Sequence, residues 1–369
     1  MQITGADALS LRLRSLLLRA HPGAAPGDVA GIVEWFGAMQ AQDLASGQWS
    51  LGVRLPGRTL AEIDAALERR EAIRTWPMRG TVHLVPPADA HWMLDLMGVR
   101  ALAGAAKRRA FLGLDDHTAE RSVDVLGAAL AGGGRLTRAQ CLAALAEGGV
   151  EVSGQLGYHL LWYASQRGVT CIAPNIGKEQ TFVLLDEWVP QPNRPGREEA
   201  LGIIALRYFR SHGPAPRKDF AGWTGLTMAD VKVGIAAAGA ALTTVDVDGV
   251  EMIADAALLD AGAGAPDDTW WALPGFDEFL LGYKDRSLMV DDADMQAIIP
   301  GGNGVFRATI VRAGKVVATW THTVGRAAVT IDVLPLAGLR AGERQHAEQT
   351  LQAYGDFHGL PSKIRWAHS

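Results

Sequence analysis

Two glutamines separated by a single residue, Gln40 and Gln42, are the side chains of this sequence whose type and spacing could do chemistry together. Each carboxamide carries an acceptor oxygen and two N–H donors, so two of them can hold a water molecule or the edge of a base. On a helix, residues two apart point about 200° away from each other, whereas alternate side chains of an extended segment share a face. The pair can therefore act together only where the backbone is not helical. The alternative is a polar helix end, since glutamine is a common surface residue.

A short helix is predicted immediately before the pair. Asp28 has the residue type of an N-cap, and apolar residues follow it with helical spacing at Ile32, Val33, Phe36 and Met39. The pattern fails after Met39, so we expect Gln40 at the helix end and Gln42 in the turn beyond it. The backbone is thus predicted to leave the helix where convergence of the two amides requires it.

Length and composition are those of an ordinary folded protein. The 369 residues suffice for two or three domains, and 48% are hydrophobic and 20% charged. Two cysteines, Cys141 and Cys171, form neither a disulfide framework nor a metal cluster, which fits a reducing compartment. The first residues lack the basic and apolar regions of a secretory signal, and no apolar run approaches membrane-spanning length. We therefore expect a cytoplasmic protein with no membrane partner.

The net charge of −5 argues mildly against nucleic-acid binding, but the charges are unevenly distributed. Acidic residues gather at 246–268 and 291–294. Basic residues gather in two stretches, Arg194, Arg197, Arg207, Arg210, Arg217 and Lys218 in the first, and Arg307, Arg312, Lys315 and Arg326 in the second. Segregated charge can present a positive face despite a negative total. The alternative is a solvated surface without a charged partner.

The first 86 residues have the order of a helix-turn-helix followed by a β-ribbon. Helices are predicted at 8–20, in the segment before the glutamine pair, and from Thr59, whose capping box with Glu62 begins a helix that runs to about Arg70. Two strand-like runs follow at 73–76 and 81–85. Three helices and then a hairpin are typical of a winged-helix unit.

The same order of helices and a hairpin recurs twice. One copy begins with a capping box of Thr137 and Gln140, and the other ends in a hairpin with the turn signal Asp248-Gly249. The C-terminal residues alternate as strands, with a long β-hairpin around Ala313-Gly314 and a final helix. We predict an α+β fold divided as follows: winged-helix units at 1–86, 136–192 and 193–262, a helical connector at 87–135, a C-terminal segment at 263–369 with its helix near 341–354, and linkers at 194–196 and 262–266.

Other catalytic patterns are weak or missing in the sequence. The histidines, among them His83, His91, His346 and His358, lack companions at metal-ligand spacing. Gly132-Gly-Gly134 lacks the strand and lysine of a phosphate loop, and no Gly-X-Ser-X-Gly elbow occurs. The segment 273–286 holds three candidates for a general base, Asp277, Glu278 and Asp285, with which Lys284 and Arg286 could equally pair structurally. We expect no metal and no cofactor.

Three stretches of the chain resemble the AlkZ-type winged-helix DNA glycosylases: Gln40-Ala-Gln42, Arg74 to Pro86, and Leu273 to Arg286. The resemblance spans nearly the whole chain. It implies three tandem winged helices that form a C-shaped, concave DNA-binding surface, and a catalytic pair that here would be Gln40 and Gln42. The related AlkX branch carries Gln-X-Asp, so the second glutamine favours the AlkZ branch. Members of that branch act as self-resistance enzymes against DNA-alkylating natural products, which makes bulky adducts and interstrand cross-links expected substrates.

The release of an N7-alkylated guanine from DNA is a reaction that a pair of amides can catalyse. Guanine alkylated at N7 is cationic and leaves as a neutral base without a general acid, unlike glycoside hydrolysis with its two carboxylates. Catalysis then requires a positioned water and stabilisation of an oxocarbenium-like sugar. We expect Gln40 and Gln42 to hold that water in a monomeric enzyme whose partner is double-stranded DNA carrying alkylated guanine. An open groove suits bulky adducts, so full base flipping need not occur.

Candidate DNA contacts follow from arginine chemistry. Arg79 and Arg286 could each bind a phosphate bidentately, and a structural ion pair is the alternative for each. The hairpin that carries Arg307, Arg312 and Lys315 could enter a groove as a two-stranded ribbon, and its alternative is a plain solvated edge hairpin.

Two other functions compete with a glycosylase. Winged helices usually recognise sequence, so the chain could be a DNA-binding regulator without catalysis. The units could also serve as protein-interaction modules, in which case salt-dependent DNA binding would be absent.

Overall fold

Three β-sheets, with helices packed against them, organise the residues that the computed structural model describes, which are 1–23, 25–265 and 268–367. The strands are β1 (Gln2–Ile3), β2 (Met39–Gln40), β3 (Ile73–Met78), β4 (Thr81–Val85), β5 (Leu136–Thr137), β6 (Thr170–Ile176), β7 (Glu179–Leu184), β8 (Leu242–Val247), β9 (Val250–Asp255), β10 (Trp270–Leu273), β11 (Ala308–Arg312), β12 (Lys315–Val324), β13 (Val329–Pro335) and β14 (Ser362–Trp366). They are ordered β1-β8-β9, β2-β4-β3-β6-β7-β5, and β10 to β14 in sequence.

The helices fall mostly where the sequence pattern predicts them. They are α1 (Gly5–Ser15), α2 (Val29–Phe36), α3 (Leu44–Arg54), α4 (Leu60–Glu68), α5 (Ala90–Met93), α6 (Val99–Gly104), α7 (Ala106–Phe111), α8 (Asp116–Leu130), α9 (Arg138–Glu147), α10 (Leu156–Gln166), α11 (Leu185–Trp188), α12 (Arg197–His212), α13 (Arg217–Thr224), α14 (Met228–Ala238), α15 (Ala256–Ala261), α16 (Glu278–Leu281), α17 (Met295–Ile298) and α18 (Ala341–Phe357). The predicted capping boxes of Thr59 and Thr137 are confirmed. Among these helices, none is both long and apolar enough to cross a bilayer.

The helix before the glutamine pair begins as predicted and ends earlier. The Asp28 carboxylate accepts a hydrogen bond from the Gly31 N–H at 2.8 Å and caps the N-terminus of α2. The prediction that this helix reaches Met39 is wrong, because Gly37 adopts a φ of +77° and ends it after Phe36. A side chain disfavours that conformation, and a Cβ on Gly37 would lie 3.1 Å from Arg207 Cδ. Gln40 therefore lies in strand β2 and not at a helix end.

Two helices near the N-terminus differ from the sequence prediction. The helix expected at 8–20 spans Gly5–Ser15, because a capping box of Thr4 and Asp7 starts it earlier and Leu17, at φ +55°, lies outside it. Helix α3 was not predicted. Its two glycines lower its intrinsic helix propensity, and packing stabilises it instead: a Cβ on Gly52 would lie 2.8 Å from the Phe357 ring.

The first two predicted hairpins share one sheet. Strands β3 and β4 pair antiparallel, as do β6 and β7, and the pairing of Arg74 with Ile172 joins the two hairpins side by side. The buried Arg74 guanidinium reinforces the junction by donating to the Ala173 carbonyl at 3.0 Å and to Asn175 Oδ1 at 2.8 Å. The sequence pattern located each hairpin, but not their union into six strands.

The C-terminal sheet contains the predicted long hairpin, β11 and β12. The alternative of a solvated edge hairpin is wrong, because β10 covers one side of it and β13 the other. The final helix extends to Phe357, beyond the predicted 354, and the unpredicted strand β14 follows it and pairs parallel with β13. Of the predicted linkers, 194–196 lies between α11 and α12 without regular structure, and 262–266 ends outside the described residues.

Candidate functional site

Gln40 lies at the junction of two distant parts of the chain. Strand β2 pairs antiparallel with β4, which places Gln40 directly opposite His83. The Gln40 backbone N–H donates to Glu278 Oε1 at 3.2 Å, and this contact spans 238 residues of sequence. The side-chain oxygen of Gln40 is buried and has no hydrogen-bond partner within the described part of the chain. A buried acceptor left unpaired in this way is rare and marks a place where a ligand or water belongs.

Gln42 uses its own side chain as part of the sheet. The Ala41 N–H donates to the Val82 carbonyl at 2.9 Å, as in an ordinary ladder. The return bond from the Val82 N–H goes at 3.0 Å to Gln42 Oε1, a side-chain oxygen. The carboxamide of Gln42 is thereby fixed at one end, and its N–H donors remain for a ligand because the residue is exposed. The segment has left the helix, as the sequence analysis required, and convergence of both amides on one water stays a prediction.

Glu278 is the buried anion beneath this segment. It is 1% exposed, and its Oε2 accepts from Trp223 Nε1 at 2.9 Å and lies 3.2 Å from His212 Nε2. Burial alone would raise the pKa of this carboxyl, but the hydrogen bond and charge of His212, with smaller contributions from His83 and Trp223, bring the pKa below its ordinary value. An ionised carboxylate with both oxygens engaged cannot accept a proton from water readily, so Glu278 holds the motif in place.

The other two carboxylates of the 273–286 segment are also engaged. Asp277 accepts from both terminal nitrogens of Arg54, at 2.8 and 3.0 Å, and from Ser50 Oγ at 2.7 Å. Asp285 accepts from the Ser287 N–H at 3.0 Å in a local turn. Structural pairing is thus the correct alternative for Asp277, although its partner is Arg54 and not Lys284 or Arg286.

His83 is a neutral, buried imidazole next to Gln40 that sequence reasoning assigned only a core or surface role. Its Nδ1 lies 2.9 Å from the Thr81 carbonyl and therefore carries the proton, and its buried Nε2 has no partner among the described residues. Burial, and to a smaller extent the charge of Arg79, lower the pKa of His83 to about 4, while Glu278 opposes the shift. The only sequence signal for this residue is its place in a predicted hairpin.

Replacing His83 with glutamine is expected to reduce the pH dependence of stability. The unfolded chain binds a proton near pH 6.5, whereas folded His83 resists protonation down to about pH 4. The stability that this residue contributes is therefore present above pH 6.5 and declines as the pH falls towards 4, by about 3 kcal/mol in the free energy of unfolding. Urea unfolding at several pH values from 7 to 4.5 measures it. The exposed His117→Gln variant is the control, and equal slopes for all three proteins would contradict the assignment.

Arg79 lies in the tight turn between β3 and β4. It has a φ of +54°, and Gly80 follows at +73°, so the turn displays the arginine side chain at the end of the hairpin. The residue as a whole is exposed, but burial lowers the pKa of its guanidinium, and the charge of Glu278 opposes that shift. The side chain forms no hydrogen bond or ion pair with other described residues. Its Cγ would lie 4.0 Å from a Cβ on Gly225, at the end of α13. Arg79 thus has no ion-pair partner among the described residues, and a role in DNA binding stays a prediction.

The remaining candidate DNA contacts are more constrained. Arg286 donates to the Leu280 carbonyl at 2.7 Å and lies over the Phe306 ring. Arg312 pairs with Asp268 and Glu343. Arg307 donates to the Ala297 carbonyl at 3.3 Å, and Lys315 to that of Ser287 at 3.4 Å, from exposed side chains. Arg312 is therefore ion-paired within the protein, whereas Arg286 has no ion pair with a described residue. Contact of these four residues with DNA stays a prediction.

Four of the six lysine and arginine side chains at 194–218 are paired with carboxylates. Arg197 pairs with Asp230, Arg207 with Glu34 and Asp89, Arg210 with Glu34, and Arg217 with Glu251.

No group of three or more His, Cys, Asp or Glu side chains is arranged to hold a metal in the residues that the structure describes.

Comparison with known proteins bears on the whole chain. The family described as "DNA glycosylase AlkZ-like" matches residues 33–357. An interstrand DNA cross-link repair glycosylase of Streptomyces sahachiroi is 25% identical over 339 residues, which cover 87% of this chain and 88% of that protein. The solved structure of Streptomyces sahachiroi DNA glycosylase AlkZ superposes with a TM-score of 0.80 over 99% of this chain and 100% of that one, at 22% identity. The mixed helix and sheet architecture is therefore shared.

Proposed function

The chain belongs to the AlkZ-like family of DNA glycosylases, and from that premise we propose that it hydrolyses the N-glycosidic bond of guanine alkylated at N7 in double-stranded DNA. A glycosylase family does not favour the reading as a regulator without catalysis. The observation that carries the proposal is the unpartnered, buried side-chain oxygen of Gln40 beside the fixed amide of Gln42.

The two amides have complementary free groups. Gln40 offers an acceptor, and Gln42, whose oxygen is held by the Val82 N–H, offers N–H donors. A water that donates to Gln40 and accepts from Gln42 is fixed in orientation while keeping a lone pair for the sugar C1′. As the C1′–N9 bond breaks, its electrons go to the cationic guanine, which leaves neutral, and the attacking water loses its proton to solvent. This route needs no general acid, which agrees with the engagement of Asp277 and Glu278 in structural contacts.

The arrangement of the rest of the chain supports binding of a duplex. We take 1–86, 136–192 and 193–262 as three winged-helix units, joined by the connector at 87–135 and completed by 263–369, around a C-shaped concavity. The exposed Arg79 in the first ribbon turn then reaches a phosphate. Gln42 is exposed at the surface and not at the bottom of a closed pocket. A bulky adduct, or an interstrand cross-link of the kind named for the Streptomyces relative, can therefore approach it, and the protein acts as a monomer.

Release of bases from defined duplexes tests this function. Duplexes carrying N7-alkylguanine adducts of graded size are incubated with the protein, and abasic sites are counted after cleavage of the strand. We expect excision of every adduct that bears a positive charge on the base, including the largest. A duplex with O6-methylguanine is the control, because that base is neutral and a poor leaving group. Equal excision of the O6 lesion, or no excision of any N7 adduct, would contradict the proposal.

A further inference from the structure

A pocket lies at the turn of the first ribbon, between β3 and β4. It has a volume of about 530 Å³, within the range of ligand sites, and it is lined by Gly80, Ala105, Arg108, Arg138, Gly154, Gln155, Tyr158, His159 and Trp162. It lies where the first ribbon turn meets α7, the start of α9 and the first turns of α10. Gly80 is two residues from Val82, the residue that holds Gln42, so the corresponding Cα atoms are at most about 7.6 Å apart. The turn that lines the pocket thus leads directly into strand β4, which holds Gln42.

The two arginines of the pocket carry unneutralised charge. Arg108 and Arg138 are exposed, and neither forms an ion pair or hydrogen bond elsewhere in the described part of the chain. No carboxylate lines the pocket. Neighbouring arginines differ in this respect, since Arg109 pairs with Asp116 and Arg135 with Glu68. Guanidinium groups without acidic partners suit a phosphate.

The pocket lining is also aromatic and contains an unsatisfied polar atom. Tyr158 is 38% exposed, and the Arg138 guanidinium lies 5.4 Å from its ring centroid. His159 is 92% buried, packs against Trp162 at 5.2 Å between ring centroids, and leaves its buried Nε2 without a partner among the described residues. Burial and the nearby Arg109 and Arg108 lower the pKa of His159, so the imidazole is neutral and its Nε2 can accept or donate a hydrogen bond. Flat rings beside a polar nitrogen suit a heteroaromatic base.

We propose that this pocket takes up an unstacked nucleotide of the DNA strand next to the reacting one. Its phosphate lies between Arg108 and Arg138, its base packs on Tyr158, and His159 Nε2 hydrogen-bonds the base edge. Displacing a neighbouring nucleotide opens the duplex around the adduct, so that the sugar of the damaged guanosine can reach the glutamine pair without the adduct entering a pocket itself. This inference rests on the proposed function for the identity of the strand.

Binding to a product-like duplex tests the pocket independently of catalysis. The full-length protein is titrated into a duplex that carries a tetrahydrofuran abasic analogue flanked by 2-aminopurine, whose fluorescence reports its stacking. We expect wild-type protein to change the fluorescence and Tyr158→Ala to leave it unchanged. Tyr158→Ala should also bind the duplex about tenfold more weakly, since stacking of one base on an aromatic ring contributes about that factor to affinity. Tyr158→Phe keeps the ring and should restore both. Arg138→Ala should lower the slope of log affinity against log salt by about 0.9. Lys363→Ala, which removes an exposed charge outside the pocket that has no ion-pair partner among the described residues, should change neither signal.

A free nucleotide offers the same chemistry, so a second arm titrates dGMP against the wild-type protein and Tyr158→Ala. Binding of dGMP that requires Tyr158, without a fluorescence change in the duplex, would overturn the assignment to the strand and leave a free-nucleotide site. If Tyr158→Ala and Arg138→Ala bind the duplex as wild type does, the pocket proposal is wrong, and base release by the same preparations then shows whether the glycosylase proposal still holds. If the wild-type protein releases no base but shows the Tyr158-dependent fluorescence change, only the glycosylase proposal is contradicted.

Discussion

Replacing Gln40 and Gln42 together with alanine is expected to lower the rate of base release from an N7-alkylguanine duplex by at least about 10²-fold. The variant keeps the backbone contact to Glu278 but loses the free acceptor of Gln40 and the N–H donors of Gln42. Water then has no fixed orientation towards the sugar, and the advantage of a positioned nucleophile is lost. Single-turnover assays measure the rate, and equilibrium titration with the same duplex should show affinity within about threefold of wild type, because neither amide provides a phosphate contact.

The single substitutions separate the two roles. Gln40→Ala removes only a group with no protein partner, so its stability should be unchanged while its rate falls. Gln42→Ala also frees the Val82 N–H and should lose about 1 kcal/mol of stability in addition. Gln191→Ala, an exposed glutamine outside the site, is the matched control. Base release by the double variant at the wild-type rate would refute the assignment of these residues as catalytic.

Replacing Glu278 with alanine is expected to lower the free energy of unfolding by about 3–5 kcal/mol, as for other buried pairs broken on one side. The substitution leaves the Gln40 N–H, Trp223 Nε1 and His212 Nε2 without their shared acceptor.

The isosteric variant Glu278→Gln keeps one acceptor oxygen but removes the negative charge. Its amide NH2 group then faces at least one of the three donors, with which it cannot form a hydrogen bond. We expect this variant to remain folded at low temperature and to release base about tenfold more slowly, because the backbone of Gln40 is no longer held in one position. Chemical denaturation and single-turnover rates measure the two effects.

Asp277 supplies the control for Glu278. It is the adjacent residue, equally buried, and bound to Arg54 and Ser50 without contact to Gln40. Asp277→Asn should therefore lose stability while its single-turnover rate, measured below its melting range, stays near wild type. Equal rate losses in Glu278→Gln and Asp277→Asn would mean that both residues act only through the stability of the fold, and Glu278 would then have no positioning role.

Local signals in the sequence predicted local structure well. The caps at Asp28, Thr59 and Thr137 start helices as expected, because each is set by hydrogen bonds within three residues. The end of the glutamine helix was misplaced since Phe36 and Met39 fit one apolar face, whereas the conformation of Gly37 decides where the chain turns. Helix α3 was missed because packing against distant residues, and not propensity, stabilises it.

The candidate site was predictable only in part. The type and spacing of Gln40 and Gln42 identify the pair, and a predicted hairpin contains His83. The contact between Gln40 and Glu278 joins residues 238 positions apart, which no single-sequence periodicity encodes. The sequence of segment 273–286 therefore suggests a general base, whereas in the fold Asp277 and Glu278 form buried hydrogen bonds that hold other residues in place. Sequence alone also cannot place Tyr158 near Gly80, since the shared six-stranded sheet brings their units together.

The parallel pairing of β1 with β8 has a consequence for synthesis of the chain. The Gly5 N–H donates to Asp248 Oδ2, 243 residues later, and Gln2 pairs with Asp246. At a translation rate of about 5–20 residues per second, roughly 12–50 s pass before the ribosome delivers that partner. In the folded protein Ala8 and Leu11 of helix α1 are buried against the same sheet. Until β8 and β9 have been made, this apolar face of α1 is not covered by the sheet. Strand β1 and helix α1 therefore settle only after β8 and β9 have been made, although they are translated long before them.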